Sequence, residues 1–233
     1  MYKSHMIMAF CNGGKTLNLI RKTVEAALDG KMVLFINPEL RQDVIAQRFY
    51  AYRDDDSKLA NNINFITIPS GDAGIQYVRE YLDMNSHYDL IAFDMPQIVT
   101  GTIDSLHSFI DELKTHCDVI FTAQAHRVAL STLENGESLP YMQEAFKCAD
   151  TALFLIKAND LEDIRVEEHV ITEFPINIET GEFDSKSVAS YYIDIAENGH
   201  PRLNPFDTYK DINIWSMRQD KLLATVRNAD NYV

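Results

Sequence analysis

Short apolar runs alternate with helical patterns along the first two thirds of the chain, and nothing else in the sequence narrows the fold as much. "IMAF", "MVLFIN", "NINFITIP", "YDLIAFD", "CDVIFTAQ" and "ADTALFLIK" read as strands. Between them, residues 15–28 ("KTLNLIRKTVEAAL"), residues 39–51, "GIQYVREYLDM" and "SLHSFIDELKTH" carry helical spacing. Strands joined through helices by short connections pair in parallel, so the pattern predicts a doubly wound α/β sheet. The last third differs: "VEEHVITEFPINIETGEFDSKSVASYYIDIAENG" is polar, with short alternating runs and turn signals at Gly181 and Asn198-Gly199. It reads as antiparallel additions to the carboxyl-terminal edge of the sheet, not as a separate domain. With 233 residues, 46% of them apolar, one domain over residues 1–219 is expected, followed by a mobile tail over 220–233.

The formal charge of −14 repels polyphosphate backbones and weighs against direct DNA binding unless cations are gathered locally. No stretch approaches the ~20 uncharged apolar residues of a membrane span, and the opening "MYKSHMIMAF" lacks the pattern of a secretory signal. Cys11, Cys117 and Cys148 are odd in number and widely spaced, which predicts reduced thiols in a cytoplasmic setting and no zinc site among them.

From Ala9 the stretch "AFCNGGKT" fits A-x-x-x-x-G-K-T, with a strand before it and a helix opening at Lys15. A plain glycine turn has the same local look. As a phosphate cradle, the backbone from Asn12, Gly13 and Gly14 through Lys15, Thr16 and Leu17 surrounds a β-phosphate. Lys15 then neutralises the β and γ oxygens, and the Thr16 hydroxyl holds Mg²⁺. A second signal favours the cradle: "YDLIAFD" ends in Asp94, placing a carboxylate at the carboxyl end of a buried strand, where open α/β sheets bind ligands. By itself an aspartate there is a cap or turn residue; beside a phosphate cradle it anchors the metal opposite Thr16. The expected ligands are ATP and Mg²⁺.

"KMVLFINPELRQDVIAQRF" sets Glu39 just past the next strand. Local sequence leaves two readings open: a general base for an attacking water, or a first-turn carboxylate stabilising a helix start after Pro38. In this region the chain resembles the ATPase core of the RecA superfamily, most closely the DnaB-type replicative helicases. Leu34, Phe35, Pro38, Glu39, Leu40, Ala46, Gln47 and Arg48 stand in places matching the family's "lFfSLEMs…qla.Rl". "LIAFDMPQIV" is similar to its "liviDYLQli", with Asp94 on the metal aspartate and Gln97 on the family's glutamine. "DVIFTAQAHR" is similar to "pvi.lsQlnR", and "CADTALFLIK" to "DADvvlfLyR". The matching blocks run in order from residue 6 to residue 160. The resemblance implies a RecA-like P-loop fold, Glu39 as the catalytic base, Gln124 as the γ-phosphate-sensing glutamine and Arg127 as a nucleotide-site arginine.

Two departures shape the expected function. Where the family supplies a lysine and an arginine to a neighbouring subunit's site ("aKnRnGp"), this chain has "IAENGHPRLNPF", with Glu197 and Gly199 in those places and Arg202 the nearest substitute. An arginine finger is worth ~10³ to 10⁵ in rate where it is used, so hydrolysis is expected to be slow. No Lys or Arg stands between Arg79 and Lys114, or between Arg127 and Lys147, where the family's DNA-facing loops would lie. The expectation is a slowly hydrolysing ATPase, accessory to DNA replication or recombination, that acts through a protein partner or as a homo-oligomer without a membrane. A minimal helicase or recombinase motor and a non-enzymatic partner-binding module remain the alternatives.

Overall fold

The computed structural model describes residues 2–9, 13–52, 61–125, 147–158, 169–180, 188–196 and 198–205. The strands are β1 (Ser4–Ala9), β2 (Val33–Asn37), β3 (Ile63–Thr67), β4 (Leu90–Phe93), β5 (Asp118–Gln124), β6 (Thr151–Ala158), β7 (His169–Ile176), β8 (Ala189–Ile195) and β9 (Pro201–Pro205). The helices are α1 (Lys15–Leu28), α2 (Gln42–Tyr50), α3 (Asp72–Met84), α4 (Gln97–Thr100) and α5 (Ile103–Leu113).

All nine strands join one sheet in the order β3-β2-β4-β5-β1-β6-β7-β8-β9. From β3 to β6 every pairing is parallel, and β7, β8 and β9 add antiparallel at one edge. The parallel strands are covered on both faces, which is why they read as nearly unbroken apolar runs. Side chains alternate between the faces. Met6, Met8, Leu34, Ile36, Ile91 and Phe93 pack with Val78, Phe109 and Ile110 of α3 and α5, while Ile7, Ala9, Val33, Phe35 and Ala92 pack with Leu19, Ile20 and Val24 of α1 and Ile45 and Phe49 of α2. Edge-on aromatic pairs fix a helix on each side: Phe35–Phe49 at 5.1 Å between centroids and Phe93–Phe109 at 6.0 Å. The outermost strand β9 begins and ends in proline, the residue that an unpaired edge tolerates.

The sequence pattern started one helix early and missed one element. The helix expected from residue 39 begins at Gln42, because Asn37 folds the residues after β2 into a tight turn: its Oδ1 accepts from Glu39 N (3.3 Å) and Leu40 N (3.2 Å). The single helical turn α4, directly behind the β4 carboxyl end, has too few residues for a periodic signal. The tail over 220–233 lies outside the described residues. Among the described residues no helix is long and apolar enough to cross a membrane.

Candidate functional site

Parallel pairing brings the carboxyl ends of β2, β4, β5 and β1 side by side along one rim of the sheet. In that order the rim carries Glu39, Asp94, Gln124 and the glycine loop that leads into α1.

The glycine loop enters α1 through Gly14, whose φ of +83° is a left-handed conformation natural to glycine. A Cβ at this position would run into Ile171 Cδ1 of β7. Among the described residues no side-chain hydrogen bond caps the start of α1. Lys15 and Leu17 are buried in that first turn, and Gly13 is buried just before it. Leu17 packs into the apolar layer beneath α1.

Asp94, 0% exposed, is the centre of the polar contacts. Its Oδ2 accepts from the Thr16 hydroxyl at 2.7 Å and its Oδ1 from the Thr122 hydroxyl at 2.7 Å. Its backbone N–H donates to Ile36 O of β2 (2.9 Å). Burial pushes the Asp94 carboxyl above the ordinary aspartate range; the Thr122 and Thr16 hydroxyls pull it back, Glu39's charge raises it and Lys15's lowers it. Hard oxygen atoms meet at this point: the Asp94 carboxyl and the Thr16 and Thr122 hydroxyls. That donor set suits a small divalent cation such as Mg²⁺. Among the described residues no three or more His, Cys, Asp or Glu side chains gather as a metal cluster. A hydroxyl and a single carboxylate completed by phosphate oxygens form a different kind of site.

Glu39 is exposed on the bend after β2, outside α2, whose own first-turn acid is Asp43. The helix-start reading of Glu39 is thereby corrected. Gln124 closes β5, its side chain exposed at the rim. It pairs with Ala9, and Ala125 N donates to Ala9 O at 2.9 Å. Asn12 and Arg127 lie outside the described residues, as do Cys11 and Glu197. Cys117 and Cys148 are buried thiols, each pushed up to about 12 chiefly by burial. Arg202, the nearest substitute for a finger, donates to Asp194 of its own edge hairpin (Nε to Oδ2, 3.3 Å). The cations flanking the loop after β4 are engaged too: Arg79 makes two 2.7 Å contacts with Glu112, and Lys114 Nζ stands 3.0 Å from Asp150.

Sequence reasoning missed the polar clamp beneath α1. Glu173 of β7, 3% exposed, accepts from Asn18 Nδ2 (2.8 Å) and Arg21 Nη2 (2.9 Å), with Lys22 Nζ at 3.3 Å. Arg21 also bonds Glu25 and lies 3.9 Å over the Tyr191 ring. Ile171 and Glu173 share a strand face, so β7 touches Gly14 of the glycine loop with one and the following helical turns with the other. A lone carboxylate inside the apolar run "HVITEFPI" was the available signal. Thr122, the second hydroxyl on Asp94, also went unnoticed.

No family model matches the chain, and none of the curated proteins is similar to it.

Proposed function

We propose that this chain is a RecA-like P-loop ATPase that binds Mg·ATP at the rim and hydrolyses it slowly. The single observation that supports this most is the 2.7 Å hydrogen bond from Thr16 to Asp94, which joins the two motif residues expected to share a metal. The order β2-β4-β5-β1 supports this reading, since Glu39, Asp94 and Gln124 stand at the carboxyl ends of three adjacent parallel strands and the glycine loop follows the fourth.

In this reading the first-turn amides of α1 and the Lys15 ammonium bind the β- and γ-phosphates. Thr16 and Asp94 would hold Mg²⁺, which when bound neutralises phosphate charge and orients the γ-phosphoryl group for in-line attack. Glu39 accepts the proton of the attacking water, and Gln124 hydrogen-bonds the γ-phosphate end of the site. The P–O bond to the β-phosphate breaks, leaving ADP and inorganic phosphate. Arg202, the nearest substitute for a finger, is tied to Asp194 of its own chain, and slow hydrolysis is the rate this reading expects.

The biological role that fits is an accessory to DNA replication or recombination in the cytoplasm, acting through a protein partner or as a homo-oligomer. A DNA motor is the weaker reading, given the cation-poor loops. Calorimetry with Mg·ATP on wild type and Lys15→Ala is the test. Uptake by the wild type and its loss in the variant support the reading; no uptake by the folded wild type refutes it.

A further inference from the structure

Strand β4 ends at Phe93, opposite Phe121, three residues before β5 ends at Gln124. Phe93 pairs with Phe121, and continuing that register would set residue 95 opposite Ala123, between Thr122 O and Gln124 N. The chain does not continue. Asp94 leaves the strand, Met95 adopts a left-handed φ of +53°, unusual for a residue with a side chain, and Pro96 turns the backbone into α4. Two backbone groups of β5 at the site would be left without a ladder partner.

The Gln97 side chain fills that place. An amide's oxygen and nitrogen are assigned from their partners, and the orientation that satisfies both has the nitrogen donating to Thr122 O (3.2 Å) and the oxygen accepting from Gln124 N (3.0 Å). These are the two bonds a further β4 peptide would make in a parallel ladder. On its other edge β5 is already fixed, by Ala125 N donating to Ala9 O (2.9 Å). Thr122 adds a second tie: its hydroxyl donates to Asp94 and accepts from Met95 N at 2.8 Å.

We infer that Gln97 is a positioning residue, whose side chain serves as a surrogate strand segment that holds Gln124 between the phosphate loop and the metal aspartate. It acts through Gln124 and touches no reactant itself. The inference rests on the nucleotide reading of the site for its functional part, while the hydrogen bond itself does not.

The test uses Gln97→Met, which keeps the side-chain length and removes both polar atoms. Amide exchange by NMR on the nucleotide-free chain is expected to show the Gln124 N–H exchanging at least about 5-fold faster, with Val119 to Phe121 unchanged. Gln97→Glu is the rescue: protonated, it again donates to Thr122 O and accepts from Gln124 N, so protection relative to wild type returns as pH falls. In single-turnover hydrolysis, Gln97→Met is expected to be about 10-fold slower while the Mg·ATP Kd stays within about 2-fold. In a Gln124→Ala background, Gln97→Met should then give no further loss. Unchanged exchange at Gln124, full hydrolysis by Gln97→Met, or losses that multiply in the double variant each overturn the positioning role. If the wild type takes up no nucleotide, that role falls with the nucleotide reading, and the exchange rates alone still decide whether the hydrogen bond exists.

Discussion

Replacing Gly14 by alanine probes how the glycine loop before α1 is held. Two penalties are expected, and they separate cleanly. At φ +83° a Cβ costs ~1–2 kcal/mol through backbone sterics alone. The new methyl also meets Ile171 Cδ1, on a side chain that is 0% exposed and has nowhere to retreat, which adds ~1–3 kcal/mol of overpacking. Together they remove ~2–5 kcal/mol from a domain whose whole stability is ~5–15 kcal/mol. Ile171→Val deletes only the offending atom, at ~0.5–1.5 kcal/mol; Cγ1, at 3.5 Å from the built Cβ, is an ordinary contact. In that background Gly14→Ala should cost only the backbone penalty, giving a favourable coupling of ~1–3 kcal/mol between the two sites. Urea unfolding of the four proteins measures it, given equal m-values. Costs that simply add, within ~0.5 kcal/mol, would refute the contact between Ile171 of β7 and Gly14.

Three further outcomes are expected. Asp94→Asn should raise the urea midpoint of the nucleotide-free protein at neutral pH. Because burial holds the native Asp94 pKa above its unfolded value, its contribution is favourable at low pH and is lost as pH rises through the native pKa. The two unfolding curves therefore meet in acid and separate upward, and parallel curves across pH would count against a desolvated Asp94. Glu39→Gln should keep Mg·ATP uptake while slowing hydrolysis by about 10²-fold or more, read from steady-state phosphate release; undiminished turnover removes Glu39 as the base. Glu173→Ala removes the buried carboxylate shared by Arg21, Asn18 and Lys22, leaving Arg21 its bond to Glu25, and should lower unfolding stability by ~1–3 kcal/mol. A loss below about 1 kcal/mol would mean that the clamp is not formed.

What the sequence made legible follows from the range of the forces involved. The parallel strands announce themselves because burial on both faces leaves only apolar residues, as in "LIAF" and "VLFIN". The antiparallel edge was readable from turn residues, and Thr16 with Asp94 from a motif whose spacing obeys the fold. The illegible parts depend on register between distant segments. Ile171 against Gly14 and Glu173 against Arg21 require knowing how β7 lies on α1, and no local pattern encodes that. The start of α2 was misread because the Asn37 side chain competes with the helix for the amides of Glu39 and Leu40. Gln97 was aligned by resemblance, yet its two backbone partners emerge only once β4 is seen to end early.

One consequence of β5 lying between β1 and β4 concerns the breadth of the cleft. The loop and the aspartate that face each other across it hang from strands that are not bonded to one another. Their separation is two ladder spacings, roughly 10 Å, a length set by peptide hydrogen bonds that scarcely stretch. Side-chain substitutions along the rim alter what lies within that gap but leave its width untouched. The cleft carries a built-in caliper whose jaws are spaced by the middle strand.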